Sequence, residues 1–325
     1  MASTIVKVAG HIYRLFRPKP MAERVDMSGR QVIVTGASPG SIGYETARTL
    51  AGWGADVVAT CLRNAASLEE SLLGTAGGNG LGEGSVAVRR LDLCDADSVA
   101  EFAAWYTDTR DGRLHVLINN AGVHKGVFSR TTVPPPSPDG FEVHWRTNYL
   151  GPFHLTSLLL PALERGGQES GDARILNVVS HLHETVSNES LFAAPPRYDA
   201  WDAYGRSKLA LAHFTFELQR RFAGEHNLQA FAVDPGSVST NLTRLEIPED
   251  SPAAPLRKVF PRLDAPILLR PEHGAQTSIM CASRKPLQGG RYYERCGIGE
   301  AGATTADREV ARRLWEEAEQ WVSTL

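Results

Sequence analysis

The sequence feature that most constrains the fold is a glycine-rich turn between a short β-branched run and a helical pattern. Residues 31–35 read QVIVT, which predicts a buried strand, and the chain continues as GASPGSIGYETA. Gly36, Gly40 and Gly43 fall in this turn, and residues 44–53 then have helical character. Such a turn brings main-chain amides and the positive end of a helix dipole to one point, which suits a phosphate group. The pattern predicts a strand–turn–helix unit that binds the pyrophosphate of a dinucleotide.

Strand-like runs alternate with helical patterns along much of the remaining chain. The further runs are residues 56–60, 86–91, 114–119, 174–179 and 229–233. Strands separated by helices in this manner pair in parallel through right-handed crossovers. We therefore expect an α/β fold with a single doubly wound, Rossmann-type parallel sheet and helices on both faces. A last helix is expected over residues 307–325, where apolar residues recur at helical spacing.

No internal repeat or linker divides the chain of 325 residues. Residues 29–325 are therefore expected to form one domain, preceded by an N-terminal arm over residues 1–28. The additional length falls in local insertions, and two of these, at about 184–202 and 243–270, are expected to be substrate loops.

The N-terminal arm is apolar and basic, and two interpretations of it stay open. Residues 1–30 hold six basic side chains against two acidic ones. The arm is either a segment that packs on the domain or on a partner subunit, or a basic amphipathic helix whose residues 1–20 contact a membrane peripherally. The expected location is cytoplasmic, with membrane association as the alternative. The oligomeric state stays open.

Composition excludes several classes of protein. The formal net charge of −3 and the pI of about 6.4 give no basic footprint, so nucleic acid is not an expected partner. Four widely separated cysteines show neither zinc-ligand spacing nor a CxxC pair, so no metal is expected and a reducing compartment is the default. The chain lacks the run of about 18 apolar residues that a spanning helix needs.

The residues after the second predicted strand bear on the choice of dinucleotide. An NAD enzyme places an acidic residue there on the ribose 2′-hydroxyl. Residues 60–64 read TCLRN, so no acid is present and Arg63 offers a forked cation for a 2′-phosphate. This charge logic favours NADP(H) over NAD(H). The alternative is that Arg63 is an ordinary surface side chain.

A tyrosine and a lysine one helical turn apart form the candidate catalytic pair. Tyr204 and Lys208 are four residues apart, so on a helix their side chains share a face. A nearby cation favours the phenolate and should lower the pKa of Tyr204, which suits a proton donor to a carbonyl. This spacing is common by chance. Its position after a strand that ends at Ser180, and downstream of the cofactor turn, makes it informative.

Taken together, these motifs resemble the short-chain dehydrogenase/reductase superfamily. The matching segments, in the family's order, are TGASPGSIG at 35–43, Asp92 after the third strand, NNAG at 119–122, Asn148 in NYLGPF, Ser180 after RILNVV, YGRSK at 204–208 and DPGSVST at 234–240. Two further features resemble the retinol-dehydrogenase-like branch, namely GGRYYERC at 289–296 and the ending ARRLWEEAEQWV.

The resemblance implies a role for each matched position. Tyr204 would be the general acid/base, and Lys208 would bind the nicotinamide ribose. Ser180 would hydrogen-bond the substrate carbonyl, and Asn148 would hold a water in a proton relay to Lys208. The dinucleotide would be contacted by Tyr204 and Lys208 together with Gly36, Ser38, Gly40, Ile42, Gly43, Arg63, Asp92, Leu93, Asn119, Ala121, Gly122, Pro235, Gly236, Val238 and Thr240.

The chain departs from the family pattern at three places. Ser41 and Ile42 separate Gly40 from Gly43, which adds one residue to the usual turn and requires a bulge. Arg63 sits one place beyond the usual basic position. The interval from Ser180 to the catalytic tyrosine is longer than the family's shortest spacing, and we expect the inserted residues to border the substrate cleft.

The function implied is an NADP(H)-dependent oxidoreductase. It would transfer a hydride between nicotinamide and the carbonyl or alcohol of a lipophilic small molecule, such as a retinoid, steroid, aldehyde or polyketide-like ketone. The alternative is a non-catalytic dinucleotide-binding sensor or assembly factor. His124, His181 and His183 lie near the motifs and either line the substrate entrance or cap loops. A hydrolase is disfavoured because the chain lacks the GxSxG nucleophile motif.

Overall fold

The fold is built on one eight-stranded sheet. The structure is a computed structural model that describes residues 19–76, 84–126, 131–193, 196–224, 226–238 and 269–325. The strands are β1 (Gln31–Val34), β2 (Asp56–Cys61), β3 (Ser85–Arg90), β4 (Val116–Asn119), β5 (Ala173–Val178), β6 (Leu228–Asp234), β7 (Arg291–Glu294) and β8 (Gly297–Ile298). Residues 1–18, Thr240 and nearly all of the expected substrate loop at 243–270 lie outside the described residues.

The order of the strands places a ligand crevice at the centre of the sheet. The order is β3-β2-β1-β4-β5-β6-β7-β8, and all neighbours are parallel except β7 and β8. Because β1 lies between β2 and β4, the connections leave it in opposite directions and open a crevice beyond the carboxyl ends of β1 and β4. Ligands of doubly wound sheets bind at such a switch point. The expected Rossmann-type fold is confirmed.

Helices cover both faces of the sheet. They are α1 (Ile42–Gly52), α2 (Ala65–Ala76), α3 (Ala96–Thr109), α4 (Gly151–Ser170), α5 (Ala200–Phe222), α6 (Gln276–Ser283) and α7 (Arg308–Val322), with shorter helical segments between them. One buried cluster joins α3, α4, α5 and α7 to the sheet, and a second joins α1, α2 and α6 to the other face. The predicted C-terminal helix is therefore present as α7. Within the described residues, no helix combines the length and hydropathy that crossing a bilayer requires.

The last two strands were not expected from the sequence. β7 consists of RYYE, and its alternating polar and aromatic residues extend over only four positions. Its pairing with β6, in the register Ala232 with Tyr292 and Val233 with Tyr293, buries both tyrosines. A strand this short is specified by the sheet edge that it joins more than by its own pattern.

Candidate active site

The glycine turn after β1 accommodates its additional residue in a tight β-turn. The amide of Ser41 donates to the carbonyl of Ser38 at 3.0 Å, with Pro39 and Gly40 at the corners. Gly40 has φ +74°, which the third position of a type II turn requires. Ser41 then caps α1, because its hydroxyl accepts from the amide of Tyr44 at 3.1 Å. The additional residue, which was expected to cause a bulge, is thus accommodated in a regular β-turn.

Close contacts show why the turn needs glycine at its first and last positions. Gly36 has φ +70°, and a methyl group on it would come within 2.7 Å of the Cα of Ala121. A methyl group on Gly43 would lie 2.6 Å from the carbonyl oxygen of Gly36. The amides of Ile42 and Gly43, at the first turn of α1, are the donors that a helix N-terminus offers to an anion. These residues fit the pyrophosphate of a dinucleotide.

The turn is joined to the end of β4 by a residue that sequence reasoning missed. Asn120 donates from its side chain to the carbonyl oxygens of Thr35 at 2.7 Å and Gly36 at 3.2 Å. In return, the hydroxyl of Thr35 accepts from the amides of Asn120 at 3.0 Å and Ala121 at 2.9 Å. The signal was present as the second asparagine of NNAG. These four hydrogen bonds hold the turn after β1 against the loop after β4, at the crevice between the two strands.

Asn119 is buried beside the sheet. Its side-chain amide donates to Asn177 of β5 at 2.8 Å and to Thr156 of α4 at 3.1 Å. The side chain therefore ties two strands to a helix. Gly122, two residues beyond Asn120, lies close to Asn148 and Lys208, so the same loop contacts both the sheet and the predicted catalytic residues.

The residues that follow β2 and β3 lie where the adenosine of a dinucleotide is predicted to bind. Arg63 is exposed. Asp92 accepts from the amide of Cys94 at 2.9 Å and lies 3.9 Å from the guanidinium of Arg90, also exposed. Leu93 is buried, and its carbonyl accepts from Arg146 at 2.5 Å. The hydrogen bond from Arg146 to Leu93 thus holds the loop that carries Asp92, and the carboxylate of Asp92 stays accessible.

The segment after β6 crosses towards the glycine turn. Pro235 and Gly236 make the bend, and Gly236 has φ +77°. Val238 forms an isolated bridge with Leu269. A methyl group on Gly274 would lie 2.5 Å from a methyl of Val238 and 3.3 Å from a side-chain carbon of Ile42. Val238, predicted for the nicotinamide end, and Ile42, from the turn predicted for the pyrophosphate, therefore both lie against Gly274.

Tyr204 and Lys208 lie on α5, which begins after Asp199 caps its first amides. The Nζ of Lys208 donates to the main-chain carbonyl of Val178 at 2.8 Å and lies 5.7 Å from the centroid of the Tyr204 ring. Ser180 follows β5, and its hydroxyl is hydrogen-bonded to the phenol of Tyr204. The three predicted catalytic side chains therefore converge at the carboxyl end of β5.

Asn148 completes this group from a π-helical segment, Arg146–Leu150, that runs into α4. Its side chain exchanges hydrogen bonds with the main chain of Val123, at 2.8 Å and 2.9 Å, and donates to Ser207 at 3.0 Å. A methyl group on Gly122 would lie 3.1 Å from the Oδ1 of Asn148 and 3.3 Å from the Nζ of Lys208. Both polar atoms thus face the same small residue, as a shared water would require. Single π-helical turns occur frequently at functional sites.

The expected acidification of the phenol is wrong for this geometry. Burial raises the pKa of Tyr204 well above its usual value, and the hydrogen bond with Ser180 offsets this only in part, while Asp234 raises it further. Burial also lowers the pKa of Lys208 to about 8, although the negative charge of Asp234 acts in the opposite direction. The tyrosine is therefore protonated at neutral pH because the desolvation of its anion outweighs the hydrogen bond with Ser180.

Asp234 and Tyr292 form a buried pair that the sequence motifs did not indicate. The phenol of Tyr292 donates to the Oδ2 of Asp234 at 2.6 Å, and the amide of Gly236 donates to its Oδ1 at 2.7 Å. Asp234 begins the DPGSVST segment, but its partner comes from β7, which was not predicted. Through charge alone, this carboxylate acts on both Tyr204 and Lys208.

Aromatic and imidazole rings surround the phenol. His124 stacks on Tyr204 with 4.2 Å between ring centroids, and Trp201 meets His124 edge-on at 4.9 Å. His144 lies behind them and is held by Glu142, whose carboxylate is 2.6 Å from its Nδ1. Sequence reasoning noted His124 but left open whether it lines the substrate entrance or caps a loop.

Other residues near the motifs have structural partners. His183 is buried, with one ring nitrogen 2.5 Å from the carbonyl of Ser180 and the other 2.7 Å from that of Ala301. Phe192, in the segment expected to border the cleft, packs below the guanidinium of Arg313 on α7. In the part of the chain that the structure describes, no group of acidic, histidine or cysteine side chains could hold a metal ion.

This combination of a glycine turn at a switch point and a Ser–Tyr–Lys–Asn group defines a class of dinucleotide-dependent oxidoreductases. The family model described as short chain dehydrogenase matches residues 30–250. The chain belongs to the short-chain dehydrogenase family. It acts on CH–OH or C=O groups as an enzyme of the retinol-dehydrogenase-like branch.

Full-length relatives support this placement. The chain is 35% identical over 320 residues to mouse retinol dehydrogenase 12, which covers 96% of this chain and 92% of the relative. It is also 35% identical over 317 residues to a probable oxidoreductase of Streptomyces antibioticus, covering 90% of this chain and 97% of that protein.

Solved structures support the fold. L-sorbose reductase from Gluconobacter frateurii, complexed with NADPH and L-sorbose, superposes with a TM-score of 0.63 at 20% identity, over 83% of this chain and 96% of that one. An NADH-dependent reductase of alginate metabolism gives a TM-score of 0.60 at 19% identity, over 82% and 95%.

Proposed function

We propose that the chain is an NADP(H)-dependent enzyme that reduces the carbonyl group of a lipophilic substrate to an alcohol. The observation that carries this proposal is the phenol of Tyr204, which is hydrogen-bonded to Ser180 and stays protonated because it is buried. A neutral phenol gives up a proton when the substrate oxygen becomes basic. This is what reduction of a carbonyl requires at its oxygen.

The residues of the chain manage the oxygen and its proton, and the dinucleotide, when bound, supplies or accepts the hydride. Ser180 and Tyr204 present two hydroxyls to one carbonyl oxygen. As negative charge develops on that oxygen, Tyr204 transfers its proton, and the ammonium of Lys208 stabilises the charge left on the phenol. Asn148 and Lys208 face the same gap beside Gly122, from which a water can return the proton.

The preference for NADP(H) is supported by charge at the adenosine side of the crevice. Arg63 follows β2 and is exposed, no acidic residue stands in residues 60–64, and Arg90 ends the neighbouring strand β3. A 2′-phosphate in this position would meet guanidinium groups, whereas an NAD enzyme would offer a carboxylate. The solved relatives include proteins named with NADPH and with NADH. The proposed preference for NADP(H) therefore depends on Arg63 and Arg90.

The lipophilic character of the substrate is supported by the relatives and by the rings near the phenol. The mouse relative is named as a retinol dehydrogenase. In this chain, Trp201 and His124 form an aromatic wall beside Tyr204. The flat indole of Trp201 near the proton donor favours a substrate with hydrocarbon close to its carbonyl.

The proposal is tested by a panel of retinal, a steroid ketone, a long-chain aldehyde and long-chain ketones, each with NADPH and with NADH. We expect turnover with NADPH that falls at least 100-fold in Tyr204→Phe while NADPH binding, followed by fluorescence, is retained. Tyr106→Phe is the matched control, because it removes a buried hydroxyl whose partner is the carbonyl of Arg113, before β4 and so at the opposite end of the strands. Unchanged turnover in Tyr204→Phe would contradict the proposal, and so would absence of turnover with every substrate.

A further inference from the structure

The imidazole of His124 lies flat on the ring that carries the catalytic proton. The centroids of His124 and Tyr204 are 4.2 Å apart with 17° between the planes, and Trp201 closes the edge of His124 at 4.9 Å and 80°. His124 follows the NNAG segment at the end of β4, while the other two rings come from α5. The imidazole is therefore in stacking contact with the phenol.

A second histidine holds His124 in place. The rings of His144 and His124 are 5.9 Å apart at 73°. The Nε2 of His144 accepts from the amide of Lys125 at 2.8 Å, and its Nδ1 faces the carboxylate of Glu142 at 2.6 Å. Because both nitrogens of His144 are bonded, its ring cannot turn, and it blocks one direction in which His124 could move.

His124 carries a nitrogen that no described residue satisfies. The side chain is 9% exposed, and its Nε2 is buried without a hydrogen-bond partner among the described residues. Burial lowers the pKa of His124 to about 4, with His144 and Lys208 acting in the same direction, so the ring is neutral at physiological pH. A buried polar atom without a partner costs free energy, and a ligand group that pairs with it recovers that cost.

The reacting carbonyl is not the expected partner for this nitrogen. A carbonyl oxygen has two lone pairs. In the proposed function, Ser180 and Tyr204 offer one hydroxyl to each. A third donor at the same oxygen would compete with these two. The unpartnered Nε2 of the ring that stacks on Tyr204 is therefore left for a different polar atom of a ligand.

We propose that His124 is a specificity residue that hydrogen-bonds a second oxygen of the substrate, one or two carbons from the carbonyl that is reduced. This inference rests on the proposed function and narrows it. The substrate class is a hydroxy ketone or a dicarbonyl compound with a lipophilic remainder. A retinoid, in which the reacting oxygen stands alone at the end of a hydrocarbon chain, does not use this nitrogen.

The test compares a long-chain methyl ketone with analogues that carry a hydroxyl one or two carbons from the carbonyl. kcat and KM are measured for each ketone with NADPH and with NADH. His124→Phe keeps a flat ring against Tyr204 and removes both nitrogens, whereas His124→Gln keeps a polar group and removes the ring. His154→Phe is the matched control, because His154 is also buried with an unpartnered nitrogen among the described residues but packs on Trp321 of α7.

In the unaltered protein, kcat/KM is expected to be higher for a hydroxylated ketone. In His124→Phe the ratio of kcat/KM for the hydroxylated ketone to kcat/KM for the simple ketone falls about tenfold or more, the loss that one hydrogen bond produces. His124→Gln retains part of the preference, and His154→Phe leaves it unchanged. An equal fall in kcat/KM for all ketones in His124→Phe would overturn the proposal, since His124 would then only orient Tyr204. A lack of preference for the hydroxylated ketone in the unaltered protein would also overturn it. Absence of turnover with any ketone and either coenzyme overturns the proposed function and this inference with it.

Discussion

The ammonium of Lys208 donates its resolved hydrogen bond to the carbonyl of Val178, at 2.8 Å, and not to the phenol of Tyr204. The last residue of β5 thus orients the lysine, and Ser180, two residues further on, orients the tyrosine. One strand end therefore positions both partners on α5. The Nζ of Lys208 lies 5.7 Å from the centroid of the Tyr204 ring. We therefore expect the protonation state of Lys208 to affect the proton transfer that is proposed for Tyr204.

The pH dependence of reduction should follow Lys208. Its pKa is lowered to about 8 by burial, whereas the pKa of Tyr204 is raised. We expect kcat/KM for ketone reduction to be constant near neutral pH and to fall as the pH rises through about 8, because the ammonium is lost while the phenol remains protonated. A stopped-flow or steady-state pH profile checks this. A profile that stays flat to pH 10 would contradict the assignment.

The lowered pKa of Lys208 also makes the stability of the fold depend on pH. Stability is expected to change with pH in the opposite direction to activity. Lys208 binds a proton less tightly in the folded chain than in the unfolded chain, so between about pH 8 and the usual lysine value the unfolded state holds more protons. The contribution of this group to the free energy of unfolding therefore increases with pH in that window. Lys208→Met should remove this contribution, which urea denaturation of both proteins at pH 7.5 and pH 10 can detect.

Replacing Asp234 by asparagine should lower the pH at which kcat/KM for reduction falls. The carboxylate raises the pKa of Lys208 through its charge, and the uncharged amide would keep the shape of the side chain next to Tyr292 and Gly236. Tyr292→Phe is the control, because it removes the hydroxyl partner and retains the charge. If both variants shift the pH of this fall equally, the hydrogen bond and not the charge is responsible.

Two glycines of the turn after β1 allow the effects of backbone conformation and of crowding to be separated. Both have positive φ, +70° at Gly36 and +74° at Gly40, but a methyl group meets Ala121 at 2.7 Å in the first and no described atom within 4 Å in the second. Gly40→Ala should cost about 1–2 kcal/mol in stability through strain alone. Gly36→Ala should cost more and weaken NADPH binding strongly. Thermal unfolding and fluorescence titration measure the two effects, and equal losses would contradict the geometric argument.

Coenzyme preference should respond to the charge at Arg63. Arg63→Glu is expected to lower kcat/KM with NADPH by at least about tenfold, because a carboxylate repels a 2′-phosphate, and to raise the relative use of NADH. The side chain is exposed, so folding should be unaffected. Arg284→Glu, an exposed position directly after α6, is the control. An unchanged NADPH-to-NADH ratio in Arg63→Glu would show that Arg63 is a surface residue only.

The C-terminal helix should contribute strongly to stability. Trp315 of α7 is buried against Phe153 and Phe214, with ring centroids 5.1 Å and 5.6 Å away. Trp315→Ala should lower the free energy of unfolding by about 3–5 kcal/mol, the range for removing a large buried aromatic side chain. Glu319→Ala, at an exposed position of the same helix, should change it by less than about 0.5 kcal/mol. Urea denaturation followed by far-ultraviolet circular dichroism provides the comparison.

Local patterns in the sequence were sufficient for the core of the fold and for much of the site. Six strands, the turn from Gly36 to Gly43, and the shared helical face of Tyr204 and Lys208 follow from spacing along the chain. Such features depend on interactions between residues a few positions apart, and the backbone geometry of a helix or strand makes these the same in any protein. The length of α7 was predictable for the same reason.

The remaining features depend on residues that are distant along the chain. Asn148 and Lys208 meet at Gly122, His124 stacks on Tyr204, and the partner of Asp234 comes from a strand that only the sheet edge specifies. Burial of the phenol, which reverses the expected direction of its pKa, is likewise a property of the packed structure. Spacing along the chain shows which groups can share a helix face, whereas desolvation and contacts between distant segments exist only once the layers have assembled.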